Sequence, residues 1–270
     1  MFDNFNLFNI TNRFNISWGF NFGQTGPKPQ THQVIQPISA LVDAYRLELP
    51  QLLKLVPDEW EWTIATLATE KELMSSINDE VLSWFATTFD INRAWLEGAS
   101  DRIHNYIWGY QSLPTFFGQM DKLGWTSSGL RMTILAEDYD KKYRYLKRFA
   151  IVFSMPVFEL SNDETLFKHR LFEPVWDYSH PPCELDSKAI ARWFTMRQKH
   201  KRPIPIIPVK SKHFEDLAEA ETLIPTIWSD RIGSFDRFED RVLYEYESVC
   251  AKETECLDSV IKHLDLVCPL

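Results

Sequence analysis

RFAIVFSMPVFEL (148–160) and TLFKHRLFEPVW (165–176) are the stretches on which the fold turns. Both are rich in β-branched and aromatic residues, and Ser161, Asn162 and Asp163 between them supply turn chemistry. With LRMTILAE (130–137) just upstream, they read as a small antiparallel sheet. Working outward toward the C-terminus, the pattern predicts a helix from about Leu185 to His200 and a short strand at IPIIPV (204–209). Helical stretches follow from Lys212 to Ala220 and from Phe235 to Leu264. In the last of these, Phe235, Phe238, Val242, Val249, Cys250, Leu257, Ile261 and Leu264 recur at spacings near three and four. That stripe serves either packing on the same domain or the seam of a homodimer.

Working outward toward the N-terminus, a helix opens at Ser112-Leu113-Pro114, and residues 111–270 read as one α+β domain for dimerisation or sensing. Residues 31–104 read as five short helices. Pro37 suits a first helical position, with Val34, Ile38, Leu41, Val42 and Tyr45 on one apolar face. Pro50 and Pro57 punctuate a second helix carrying Leu52, Leu53 and Leu55. Asp58 caps a third running to about Ala68. Ser76 or Asn78 caps a fourth with Val81, Leu82, Phe85 and Phe89, and Asn92 caps a fifth containing Trp95 and Leu96. Residues 1–30 form an Asn- and Phe-rich arm in which Phe14, Ile16, Trp18, Phe20 and Phe22 alternate with polar or small residues, closed by the linker GQTGPKPQ (23–30).

A chain of 270 residues has room for two domains. Its 44% hydrophobic content suits buried cores, while no apolar run approaches the roughly 18 residues a membrane span requires. A protein without a membrane segment is the expectation. The opening residues lack a secretory leader, which points to the cytoplasm. Cys183, Cys250, Cys256 and Cys268 form no CxxC pair, so reduced thiols are expected.

Residues 34–98 carry a resemblance. Leu49-Pro50-Gln51, followed at the right distance by Ile91-Asn92-Arg93-Ala94-Trp95-Leu96-Glu97-Gly98, is similar to the landmarks of lambda-repressor-like (Xre-type) helix-turn-helix domains. That family closes on a turn leading to Trp-Leu-x-Gly. The resemblance implies a bacterial or phage-type transcriptional regulator that binds double-stranded DNA as a dimer. By position, its recognition helix is about Glu59 to Leu67, and Lys54, Trp60, Thr63, Thr66, Lys71 and Arg93 are the candidate DNA-binding residues.

Charge sets a second expectation beside the first. Over residues 31–104, Arg46, Lys54, Lys71, Arg93 and Arg102 face twelve Asp or Glu, a net of −7. DNA affinity comes largely from cations that displace counterions. If Lys54, Lys71, Arg93 and Arg46 converge on the third helix, DNA gains; if that face is acidic and apolar, a protein partner on the helical domain gains. Cations concentrate instead at Lys141 to Arg148 and Arg197 to Arg202, as solvated faces or binding patches.

Signals for catalysis, cofactors and metals are weak, and none is expected. Nine glycines form no phosphate-cradling motif. His180-Pro181-Pro182-Cys183, with Asp177 and Glu184 nearby, falls short of a four-ligand zinc site and reads as a turn stiffened by two prolines. Phe153-Ser154-Met155-Pro156 resembles the serine site of self-cleaving repressors only loosely, with Lys188 as its candidate base on a helix. Without a base, a serine is a weak nucleophile.

Overall fold

A computed structural model describes residues 32–109, 112–125, 129–139, 146–160, 164–197, 203–229 and 236–237. It is an α+β protein: helices crowd the N-terminal third and a mixed sheet with flanking helices follows. The arm over 1–30, the Lys141 to Arg144 cations, the 161–163 turn and residues 238–270, with the apolar stripe from Phe238 onward, lie outside the described residues.

The helical region comprises α1 (His32–Ala44), α2 (Leu49–Leu55), α3 (Ile64–Ala68), α4 (Glu70–Ser76), α5 (Asp79–Phe89) and α6 (Arg93–Leu96). Its boundaries follow capping chemistry. The Asn78 side chain accepts from the Val81 N–H at 2.9 Å, and that of Asn92 from the Ala94 N–H at 3.0 Å. Pro37 does not start α1, as its sequence suggests, but sits inside it. The helix therefore forgoes one backbone bond a turn from its start.

The third helix departs from expectation in a way that matters. Instead of one helix over 58–68 there is a 3-10 turn at Asp58–Trp60, then Glu61 in the left-handed region at φ 50°, then the short α3. Two local forces favour the break. Trp60 packs against Trp62 and Trp84, with centroids 5.3 and 5.5 Å apart, which holds both indoles over the helical core. Thr63 and Thr66 then close a reciprocal capping box that opens a new helix. Thr69 caps the unforeseen α4 by accepting from the Glu72 N–H at 3.2 Å.

The strands are β1 (Tyr106–Ile107), β2 (Arg131–Glu137), β3 (Arg148–Glu159), β4 (Thr165–Asp177), β5 (Pro205–Val209) and β6 (Asp236–Arg237), in the order β1-β4-β3-β2-β5-β6. β2, β3 and β4 form the antiparallel meander legible in the sequence. β1 adds parallel to β4 and β5 adds parallel to β2, so the sheet is larger and mixed. The remaining helices are α7 (Leu113–Lys122), α8 (Pro181–Arg197), α9 (Ser211–Ala218) and α10 (Ile224–Ser229). Asp236–Arg237 pairs with β5 rather than continuing a helix from Phe235. An unpaired strand edge at β5 offers backbone partners that a helix there would leave unused. α8 begins at Pro181, four residues before the expected start, because prolines fit a first helical turn where no N–H partner exists.

Side-chain alternation sorts the sheet into two buried faces. Ile134, Ile151, Phe153 and Phe172 point to one, where α7 and α8 contribute Phe116, Phe117, Met120, Ile190, Trp193 and Phe194. Leu135, Ala150, Val152, Leu171 and Ile207 point to the other, beneath Phe214 and Leu217 of α9 and Ile224 of α10. Burial on both sides explains why β2 reads as a nearly continuous apolar run. A third core fills the helical region and takes in Leu166 of β4 and Leu223, with Val157 and Leu160 packed beside them. The helical region thus sits on the far end of the β3–β4 hairpin.

Candidate functional site

The six residues expected to touch DNA are spread over α2, the 3-10 turn at Asp58–Trp60, α3 and its cap, α4 and α6. Lys54, at the end of α2, and Lys71, on α4, are exposed on different helices. Trp60 is half-buried in its indole cluster, with Nε1 3.5 Å from a Glu80 carboxylate oxygen. Thr63 and Thr66 bond to each other's backbone and hydroxyls as a helix cap. Arg93 on α6 is engaged by Asp79, by Ser83 and by Glu97 at 2.7 Å, and the two carboxylates hold its charge on. Arg46 lines a cavity described below. Around α3 the surface is instead acidic and apolar: Glu59 and Glu61 are exposed, and Ile64 is 57% exposed.

Chemistry gathers elsewhere. In the sheet register Arg131 lies opposite Ser154, and Ser154 opposite His169. Directly opposite residues share a face, so the three form one row across β2, β3 and β4. The row lies at the end of the face that α9 and α10 cover, just where the helical region begins. Ser154 and His169 are both buried at 4% exposure, and Ser154 Oγ is 2.8 Å from His169 Nδ1. From the helical region, Tyr45 at the end of α1 lays its ring on the imidazole, with centroids 5.8 Å apart and planes 16° from parallel.

This row opens on a cavity of about 720 Å³. Its lining draws Ala44, Tyr45 and Arg46 from the end of α1, Arg131 to Thr133 from β2, Ser154 from β3, and Glu164 to Phe167 with His169 from β4 and its approach. Leu160, Phe194, Pro203, Pro205, Ile207 and Pro225 complete it. Arg46 and Arg131 are exposed, the latter with its guanidinium 3.8 Å from the Phe167 ring centroid. Apolar walls with a few convergent polar groups are the usual composition of a small-molecule site. Two guanidinium groups on the rim suit a planar anion.

Burial, the neighbouring His104 and the Arg131 charge hold His169 well below the ordinary imidazole range, so its ring is neutral. His104 is itself held down at about 4 by burial, against the opposing pull of the Thr222 backbone. Burial, and secondarily the Asp90 charge, push the Tyr45 phenol up, so it stays protonated. Its hydroxyl is buried without a hydrogen-bond partner. The helical region is also tied to the rest of the fold by the Asp90–Arg170 ion pair, which reaches β4, and by the Ile103 N–H donating to the carbonyl of Ala220, just after α9, at 2.7 Å.

Sequence reading singled out Ser154 but sought its base at Lys188. That lysine lies on α8 and bonds to Glu184 at 2.6 Å. His169 went unnoticed, although Lys168-His169-Arg170 inside an otherwise apolar strand was the available signal. His180 is exposed and Cys183 is buried in the core. Among the described residues no cluster of three or more His, Cys, Asp or Glu has metal-site geometry, and no helix is long and apolar enough to cross a membrane. Comparison of the chain with protein-family models, with characterised proteins and with solved structures finds no match.

Proposed function

We propose that this chain is a ligand-binding regulatory protein whose small-molecule site lies between the helical region and the sheet. The observation that carries the reading is the shared lining of the cavity, with Tyr45 and Arg46 from one side and Arg131, Ser154 and His169 from the other. A molecule held there touches both parts, so its binding energy can bias how they sit. The lining favours a compound with an apolar body and an anionic head for the arginines. Benzoate and inorganic phosphate, titrated by calorimetry, separate the two requirements. Benzoate binding with phosphate failing supports the reading, and Arg131→Gln weakens it at least tenfold. Neither probe binding at millimolar concentration would remove the anionic-ligand assignment.

A specific observation favours a protein as the macromolecular partner of the helical region. The surface around α3 offers Glu59, Glu61 and Ile64, and the cations of the region are dispersed or paired with carboxylates. A phosphate backbone is repelled by such a face, whereas a basic and apolar protein surface complements it. Direct operator binding, the reading the helix-turn-helix resemblance implies, is tested by retention of genomic fragments under a salt titration. Selective retention, with log affinity falling steeply against log salt, would restore it. Absence of retention at low salt supports the protein-partner reading.

A further inference from the structure

The cavity floor holds more than binding groups. Ser154 sits on the middle strand of the meander, where the ladder to β2 and β4 fixes its backbone on both sides. His169 is its directly opposed neighbour on β4, and the 2.8 Å contact between Oγ and Nδ1 is within hydrogen-bond reach of a nucleophile and its base. The imidazole plane is set by the Tyr45 ring stacked on it, and Arg131 follows Ser154 in the same row.

We propose that Ser154 is a nucleophile toward carboxylic esters that enter this cavity, with His169 as its general base and Arg131 stabilising the oxyanion. The proposal goes beyond the ligand-binding reading and rests on the same cavity being accessible. Ser154 Oγ attacks the ester carbonyl carbon while its proton passes to His169 Nδ1. The carbonyl oxygen takes the negative charge in the tetrahedral intermediate, next to the guanidinium of Arg131. The bond to the leaving oxygen then breaks, that oxygen receives the proton from Nδ1, and the alcohol departs. Water repeats the sequence on the acyl-serine: it gives a proton to Nδ1, its oxygen bonds to the acyl carbon, and Ser154 Oγ leaves and recovers the proton. The products are an acid and an alcohol, with no further reactant.

The ring enters this cycle as the neutral base it requires, because burial and the nearby cation keep it unprotonated. The same burial limits its basicity, so turnover by this pair is slow unless the substrate excludes water and fills the apolar walls.

The test is labelling of the full chain by a fluorophosphonate probe, followed by peptide mass analysis, with p-nitrophenyl acetate hydrolysis in parallel. The expected result is an adduct on the peptide containing Ser154, absent in Ser154→Ala and formed about 10²-fold or more slowly in His169→Asn. Asparagine keeps an acceptor near the Nδ1 position and removes the base. No adduct at Ser154, or an unchanged rate in His169→Asn, overturns the proposal. Should His169→Asn fail to fold, Ser154→Cys decides. Alkylation by iodoacetamide with a midpoint well below the ordinary thiol value of about 8.5 supports a paired base, and an ordinary midpoint overturns it. Benzoate binding without labelling would leave the ligand site standing and remove the nucleophile. Labelling without benzoate binding would do the reverse.

Discussion

Two aromatic side chains, Tyr45 in the site and His104 near it, carry consequences that can be measured one residue at a time. The Tyr45 hydroxyl is buried and makes no hydrogen bond, so its desolvation is uncompensated. Tyr45→Phe keeps the ring on His169 and is expected to stabilise the fold by about 1 kcal/mol, read as a raised urea midpoint. His104 has the opposite signature. Its Nε2 accepts from the Ile224 N–H at 3.2 Å, and burial lowers it from 6.5 to about 4. Between those two values the unfolded chain binds a proton that the folded chain refuses, so stability falls as pH falls through that window. His169, lowered in the same direction, steepens the loss. Urea midpoints should therefore decline once the pH drops below 6.5, and less so in His104→Gln, which retains an acceptor for Ile224 but does not titrate. A flat profile in the unaltered protein would contradict the burial of both rings.

At the scale of elements, the junction between α5 and β4 rests on a buried ion pair. Asp90 ends α5 in the left-handed region at φ 56°, a conformation that Asp and Asn tolerate better than most side chains. From there its carboxylate meets Arg170 on β4, with both side chains 11% exposed. Asp90→Asn preserves the backbone and removes only the charge, leaving a buried guanidinium uncompensated. A loss of about 3 kcal/mol in denaturant unfolding is expected, and Arg170→Met in the same chain should recover much of it. A neutral Asp90→Asn would show that the pair contributes nothing. The caps that bound α5 and α6, Asn78 and Asn92, were readable because capping is a contact within three residues. The break at Glu61 was not readable, because it depends on Trp60 reaching Trp84, 24 positions away. The parallel pairing of β1 and β5 escaped as well: the run at 204–209 announces a strand but not its partner, and the two-residue β1 carries no period of its own.

At the scale of the molecule, the helical core and the sheet are physically continuous. Leu166 of β4 and Leu223 are buried among side chains of α1 to α6, while Phe172, six residues along the same β4 strand, anchors a face of the sheet. The expectation is one cooperative unfolding transition, with tryptophan fluorescence and far-UV circular dichroism changing together. Leu166→Ala should cost about 2–5 kcal/mol and shift both signals equally. Two separated transitions would mean that the regions fold independently and that the cavity between them is a loose contact. The same continuity gives a bound ligand its leverage. Filling the cavity is expected to raise the single midpoint by mass action, in proportion to the logarithm of ligand concentration above its dissociation constant.

The sequence by itself determined what short-range physics controls. Alternating and apolar runs marked β2, β3 and β4, period and capping marked α1, α2, α5 and α6, and together they established the α+β class. It also determined the acidic charge of residues 31–104, which no packing alters. Only the tertiary structure decided the site. Tyr45, Arg131, Ser154 and His169 come from a helix end and three strands, and strand register is what sets Arg131, Ser154 and His169 in one row. A one-residue slip of any of those strands would turn its side chain to the opposite face. Register depends on how all the strands and helices bury their apolar faces at once, which is why no local stretch of the sequence announced the site.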